Sequence, residues 1–199
     1  VVAQPDDGVL EGFQLTRNGI VTEVREGTAI GLRRHAPGDR IGQKMALPFI
    51  GAARLYADPA HGSDDVLYQL AGWSDLPRLY LLQGGRSVDA GLKRNAKLPA
   101  WPELQVTEVK VPSHDGVAVP MTILHKTGLP LDGRNPVLLD GYSAYGYSQT
   151  AHFSPANMAW LERGGVLAFV NARGSGVYGD DWCRAGFKQT KANTWKDGI

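Results

Sequence analysis

Two short apolar runs, Pro136 to Leu139 and Val166 to Val170, bracket a stretch that opens on Ser154-Pro155 and closes on Gly164. The serine supplies a helix N-cap, the proline fits the first helical turn, and the glycine ends the helix. Strand, helix, strand with nearly continuous apolar strands is the unit of an open α/β sheet. Its crossover is right-handed, and both runs are expected to be buried on both faces. This one pattern excludes an all-β or all-α reading for the second half of the chain.

The first half follows another rule. Apolar runs at Val9 to Leu15, Gly19 to Val24, Ala29 to Leu32, Arg54 to Asp58, Val66 to Ala71 and Arg78 to Leu82 alternate with turn residues. The turns fall at Asp6-Asp7-Gly8, Arg17-Asn18-Gly19, Pro37-Gly38-Asp39, His61-Gly62-Ser63 and Gln83-Gly84-Gly85. No long helical period intervenes, so the pattern predicts an antiparallel meander. A sandwich or about two blades of a β-propeller would accommodate it, at about four strands per blade. The Pro-rich segment Lys97-Leu98-Pro99-Ala100-Trp101-Pro102-Glu103 marks the expected boundary. Just beyond it, Val106 to Val111 and Val117 to His125 flank Ser113-His114-Asp115-Gly116, a hairpin signal.

Charge and cysteine content narrow the chemistry. The 199 residues hold 21 basic and 20 acidic side chains, divided 12 against 12 before residue 105 and 9 against 8 after it. Neither part carries the basic footprint that nucleic acid or an anionic membrane needs. Cys183 stands alone, so no intrachain disulfide framework or zinc spacing is present. His35, His61, His114, His125 and His152 lack metal-ligand spacing, and neither a metal nor a cofactor is expected. No run approaches the roughly 18 apolar residues of a membrane span. Val1-Val2-Ala3 reads like the middle of a strand without an initiating Met, and an internal piece of a longer protein is expected. The compartment stays open.

Gly174-Ser175-Gly176-Val177-Tyr178-Gly179 has the spacing of a dinucleotide turn, but Asn171-Ala172-Arg173 separates it from the strand and Asp180-Asp181 would repel a pyrophosphate. Gly141-Tyr142-Ser143-Ala144-Tyr145-Gly146 imitates the GxSxG nucleophile elbow, yet Tyr145 stands where the second glycine is required. Ser143 is therefore a poor nucleophile.

These stretches, with Asp140 and the Val166 to Val170 strand, resemble the opening of the catalytic domain of the prolyl oligopeptidases. Gly141 to Tyr145 is similar to that family's Gly-Tyr-Gly-Gly-Phe or Gly-Tyr-Gly-Ser-Tyr loop. Asn171 to Trp182 is similar to its Asn-Ile-Arg-Gly-Gly-Gly-Glu-Tyr-Gly signature, and Lys191 to Asp197 to its Lys-x-Asn-x-x-x-Asp run. Tyr68 to Tyr80 is similar to its late propeller strands.

The resemblance implies a fold of partial β-propeller strands followed by a partial α/β-hydrolase. Residues 1–104 would be the C-terminal part of the propeller and residues 105–199 the N-terminal part of the peptidase domain. It implies that Tyr142 donates its phenolic hydroxyl to the oxyanion and that Tyr145 lines the pocket for the residue before the scissile bond. Arg173 is expected to serve as scaffolding by pairing with acidic neighbours. The implied partners are short peptides and the remainder of the catalytic domain, with the Ser, His and Asp of the triad beyond Ile199, so that residues 1–199 alone would be inactive. The loop also resembles the sister oligopeptidases that cleave after Arg or Lys. Cleavage after proline, cleavage after Arg or Lys, an esterase-like hydrolase and a noncatalytic peptide-binding module all remain open at this point.

Overall fold

A computed structural model describes residues 2, 3, 5, 8–56, 62–92 and 100–199. Parts of several expected features lie outside the described residues: turn residues Asp6, Asp7 and His61, positions 57 and 58 of the strand expected from Arg54, and Lys97, Leu98 and Pro99 of the expected boundary. The chain forms two compact units, Val1–Lys97 with Thr150–Phe153, and Leu98–Gln149 with Ser154–Ile199.

In the first unit, β1 (Val9–Thr16), β2 (Gly19–Glu26) and β3 (Ala29–His35) form an antiparallel meander, with the short β4 (Gln43–Lys44) paired to β3. A second meander comprises β5 (Ala52–Tyr56), β6 (Val66–Ala71), β7 (Arg78–Gln83) and β8 (Arg86–Asp89). The meanders meet in parallel through one register pair, Ile30 and Ala52. At the β7–β8 hairpin Gln83 pairs with Arg86, leaving the two-residue loop Gly84-Gly85 with φ of 53° and 79°. Positive φ at both central positions is what a twist-matched hairpin demands and what glycine supplies without strain. β4 and β8 are too short and polar to register in the apolar pattern, and β5 begins two residues ahead of the expected run.

Alternation along β6 turns Val66, Tyr68 and Leu70 inward, where they pack with Val21, Leu32, Ala53, Tyr80 and Leu82. The Tyr68 and Tyr80 rings stack at 5.6 Å, and the Tyr68 hydroxyl donates to Ser87 Oγ at 2.6 Å. Two buried polar side chains on β2 find partners: Thr22 Oγ1 and His35 Nε2 lie 3.0 Å apart, and Arg25 Nε donates to Glu11 at 2.6 Å. Thr150–Phe153 packs with this unit, the Ala151 amide donating to Thr28 O at 2.8 Å.

The second unit is a four-stranded sheet of β9 (Leu104–Pro112), β10 (Ala118–Lys126), β11 (Val137–Asp140) and β12 (Val166–Val170), ordered β11-β12-β10-β9. β9, β10 and β12 pair antiparallel, whereas β11 and β12 run parallel through the crossover that carries α1 (Pro155–Glu162). Ser154 Oγ caps this helix by accepting from the Asn157 amide. Two five-residue helices follow, α2 (Asp180–Arg184) and α3 (Ala192–Lys196). β12 is buried at every position, as expected of a strand covered on both faces. β11 is not: all four of its residues are exposed, because at this edge of the sheet its faces lie beyond α1, which packs on β10 and β12 instead.

Leu70 has no exposed surface, and truncation there would leave a void between the two meanders. Leu70→Ala is expected to cost about 2–5 kcal/mol in urea unfolding, far more than a surface leucine.

Candidate functional site

Because β11 and β12 are parallel, their carboxyl ends open on the same side of the sheet, the place where open α/β sheets hold ligands. The loops leaving those ends are residues 141–149 and 171–179. They are stitched together along their length. Asn171 binds both polar groups of the Gln149 backbone, accepting from N at 2.7 Å and donating to O at 3.1 Å. The Gly146 amide donates to Gly174 O at 3.0 Å, and the Gly176 amide to Ser148 Oγ at 3.0 Å.

Within the first loop, Ser143 and Tyr145 take φ of 43° and 55°, the left-handed region that side chains other than glycine rarely enter. Ser143 is 2% exposed and its hydroxyl donates to Val170 O at 3.3 Å, so it is neither accessible nor oriented as a nucleophile. Tyr142 and Tyr145 turn outward instead, at 57% and 85% exposure. The Tyr142 ring is braced edge-on by Tyr147, with centroids 5.8 Å apart. Both aromatic side chains singled out from the sequence thus project from the loop at the strand ends.

The second loop is anchored from beneath by Arg173, which is buried. Its Nη2 donates to Asp197 Oδ1 at 2.6 Å, its Nε to Asp197 Oδ2 at 3.0 Å, and its Nη1 to Asp115 Oδ2 at 2.6 Å. The Arg173 amide also donates to Asp197 Oδ2 at 2.9 Å, and Ser113 Oγ to Asp197 Oδ1 at 2.7 Å. The cluster ties the β9–β10 hairpin, the glycine-rich loop and the end of α3 together. Hydrogen bonding from Arg173 holds the Asp115 carboxyl down at about 2. Burial pushes Asp197 up, but the bonds from Arg173 and Ser113 outweigh it and leave the carboxyl below its ordinary value. Donating to Asp197 raises Arg173 in turn, with burial opposing. All three groups are charged at neutral pH.

Of the glycines of the 174–179 segment, Gly174 is required by packing, whereas Gly179 takes a φ of 86° with open space around it. A Cβ on Gly174 would fall 2.3 Å from Ser143 O, and the segment runs into a helix of only five residues. The Lys191 to Asp197 run serves the same loop: Thr194 Oγ1 donates to Arg173 O at 2.7 Å, and Asn193 Nδ2 to Ala185 O at 2.9 Å. Among the described residues no cluster of three or more His, Cys, Asp or Glu could hold a metal ion.

Residues 151–199 match the model of the prolyl oligopeptidase family. A prolyl endopeptidase of Elizabethkingia miricola is 41% identical over 57% of this chain and 17% of its own length. That of Elizabethkingia meningoseptica is 43% identical over 49% of this chain and 14% of its own. A solved prolyl endopeptidase structure, 27% identical, superposes with a TM-score of 0.83 over 96% of this chain and 28% of its own. The chain thus spans less than a fifth of the length of these curated relatives. These matches are all to peptidases. More narrowly, residues 151–199 match the prolyl oligopeptidase family, and the chain is similar to prolyl endopeptidases in sequence and in fold.

Folded Asp115 stays ionised down to about 2, whereas the unfolded chain takes up a proton near 3.8. Its stabilising contribution is therefore complete above 3.8 and drains away as pH falls toward about 2. In the full-length protein, the gap in unfolding midpoint between wild type and Asp115→Asn is expected to be constant near neutrality and to narrow across that acid window. A gap that persists unchanged to about 2 would contradict the assignment.

Proposed function

We propose that this chain is the end of a β-propeller, residues 1–104, and the start of an α/β-hydrolase peptidase domain, residues 105–199, of a serine peptidase that cleaves short peptides after proline. The observation that carries the reading is the Tyr142 phenol, exposed at the carboxyl end of parallel strands on a loop whose backbone is held rigidly. Similarity to prolyl endopeptidases supports the substrate class. The two meanders of the first unit, the second of them four-stranded, support the propeller reading.

In the proposed reaction a serine attacks the scissile carbonyl, a histidine takes its proton and an aspartate orients that histidine, all three beyond Ile199. Tyr142 contributes a preorganised donor. Its hydroxyl is aimed at charge that appears on the carbonyl oxygen only as the tetrahedral intermediate forms, so it lowers the barrier without tightening substrate binding. Tyr145, the more exposed ring, offers a flat apolar face on which a proline can stack, at the subsite before the cut. The aromatic at that position also suits the aliphatic stem of Arg or Lys, and a panel of short peptides varied at that residue separates the two preferences. The proposed partners are peptide substrates and the rest of the catalytic domain.

In the full-length enzyme, Tyr142→Phe is expected to lower kcat by about 10²–10³-fold with little change in KM, the signature of losing one oxyanion donor. Equal kcat for the two enzymes would refute the assignment.

A further inference from the structure

We propose that Ser143, clamped by Gly174 and Lys191, is a positioning residue that aims the Tyr142 hydroxyl; the proposal rests on the oxyanion reading of Tyr142. Ser143 holds a left-handed conformation, φ 43°, that an L side chain adopts only where its surroundings over-determine it. Here they do so from three directions. Its hydroxyl is buried against Val170 O on β12, at 3.3 Å. Its carbonyl faces Gly174 so closely that a Cβ there would sit 2.3 Å away. The same carbonyl accepts from Lys191 Nζ at 3.4 Å.

Lys191 is a partly buried cation whose ammonium reaches Ser143 O and, at 3.1 Å, Thr194 Oγ1, and no carboxylate pairs with it among the described residues. A charged donor directed at one backbone carbonyl is an anchor for that peptide group. The kink at Ser143 is what separates an inward serine from the outward Tyr142 beside it. If Ser143 relaxed to an extended backbone, the preceding residue would rotate with it and the phenol would leave its position. Misplacement of a catalytic donor by about 1 Å is enough to cost a large factor in rate. Lys191 and Ser143 therefore act through Tyr142 without touching substrate.

A double-mutant cycle in the full-length enzyme tests this, with kcat and KM read on a short prolyl peptide. Lys191→Met is expected to lower kcat by about five- to tenfold with KM changed by less than about twofold, and Lys191→Arg to recover most of the loss. In the Tyr142→Phe background, Lys191→Met is expected to cost less than about twofold, because the donor it aims is already gone. Ser143→Val, which cannot take up the left-handed backbone, is expected to fall as far as Tyr142→Phe, whereas Ser143→Gly, which can, loses no more than about fivefold. Equal fractional losses from Lys191→Met in both backgrounds would overturn the positioning role and leave the oxyanion reading standing. Abolition of activity by Ser143→Gly would overturn it too, marking Ser143 as a nucleophile. Unchanged kcat in Tyr142→Phe alone would sink the oxyanion reading and this proposal with it.

Discussion

The second unit is organised around one buried cation. Arg173 spends its guanidinium and its own amide on Asp197 and Asp115, so that a hairpin, a glycine-rich loop and a short helix end share a single electrostatic centre. An arginine taken out of water without such partners would be strongly destabilising, and removing one partner of a buried pair costs about 3–5 kcal/mol. The planar fork of the side chain matters as much as its charge, because it meets two carboxylates at fixed angles that a lysine could not reproduce. What the cluster secures is geometric: it fixes the loop on which the Tyr142 loop rests.

From that anchor the site is assembled in layers. Thr194 holds the Arg173 carbonyl, Gly174 presses against Ser143, and Asn171 and Ser148 close the seam farther along. None of these residues needs to meet a substrate. Their work is to hold two non-glycine residues of the loop, Ser143 and Tyr145 on either side of Ala144, in backbone conformations they would leave if released. Strain of this kind, about 1–3 kcal/mol per residue, persists only in a surrounding that leaves no alternative.

Much of this was legible in the residues. The run Val166–Val170 became a strand with those same ends, Ser154 and Gly164 bounded the crossover helix, and the signal around Asp115-Gly116 became a hairpin. The acidic partners expected of Arg173 exist, but their identities were not readable, since Asp115 and Asp197 lie 58 and 24 positions away and only the fold brings them together. β11 departs from the buried strand its pattern suggests because an apolar run looks the same in the middle of a sheet and at its rim. β4 and β8 escaped because their residues are polar and few, and their pairing is decided by neighbours rather than by pattern. The left-handed turn at Ser143 was hidden by its residue type; the nearby Gly174 was the visible half of that close approach, and only the structure shows what it approaches.

The seam between the two meanders of the first unit has a mechanical character of its own. With one register pair across it, at Ile30 and Ala52, there is almost no ladder to unzip, and cohesion is shared between the packed side chains of Val21, Leu32, Ala53 and Tyr68 and a few hydrogen bonds, from Asn18 and Arg34 to Asp64 and from the Leu55 amide to Glu23. Apolar packing resists separation but is indifferent to small displacements along the interface. A joint built this way is held against pulling by its apolar filling and against sliding by a few polar clasps, whereas the strands on either side of it are laddered along their length.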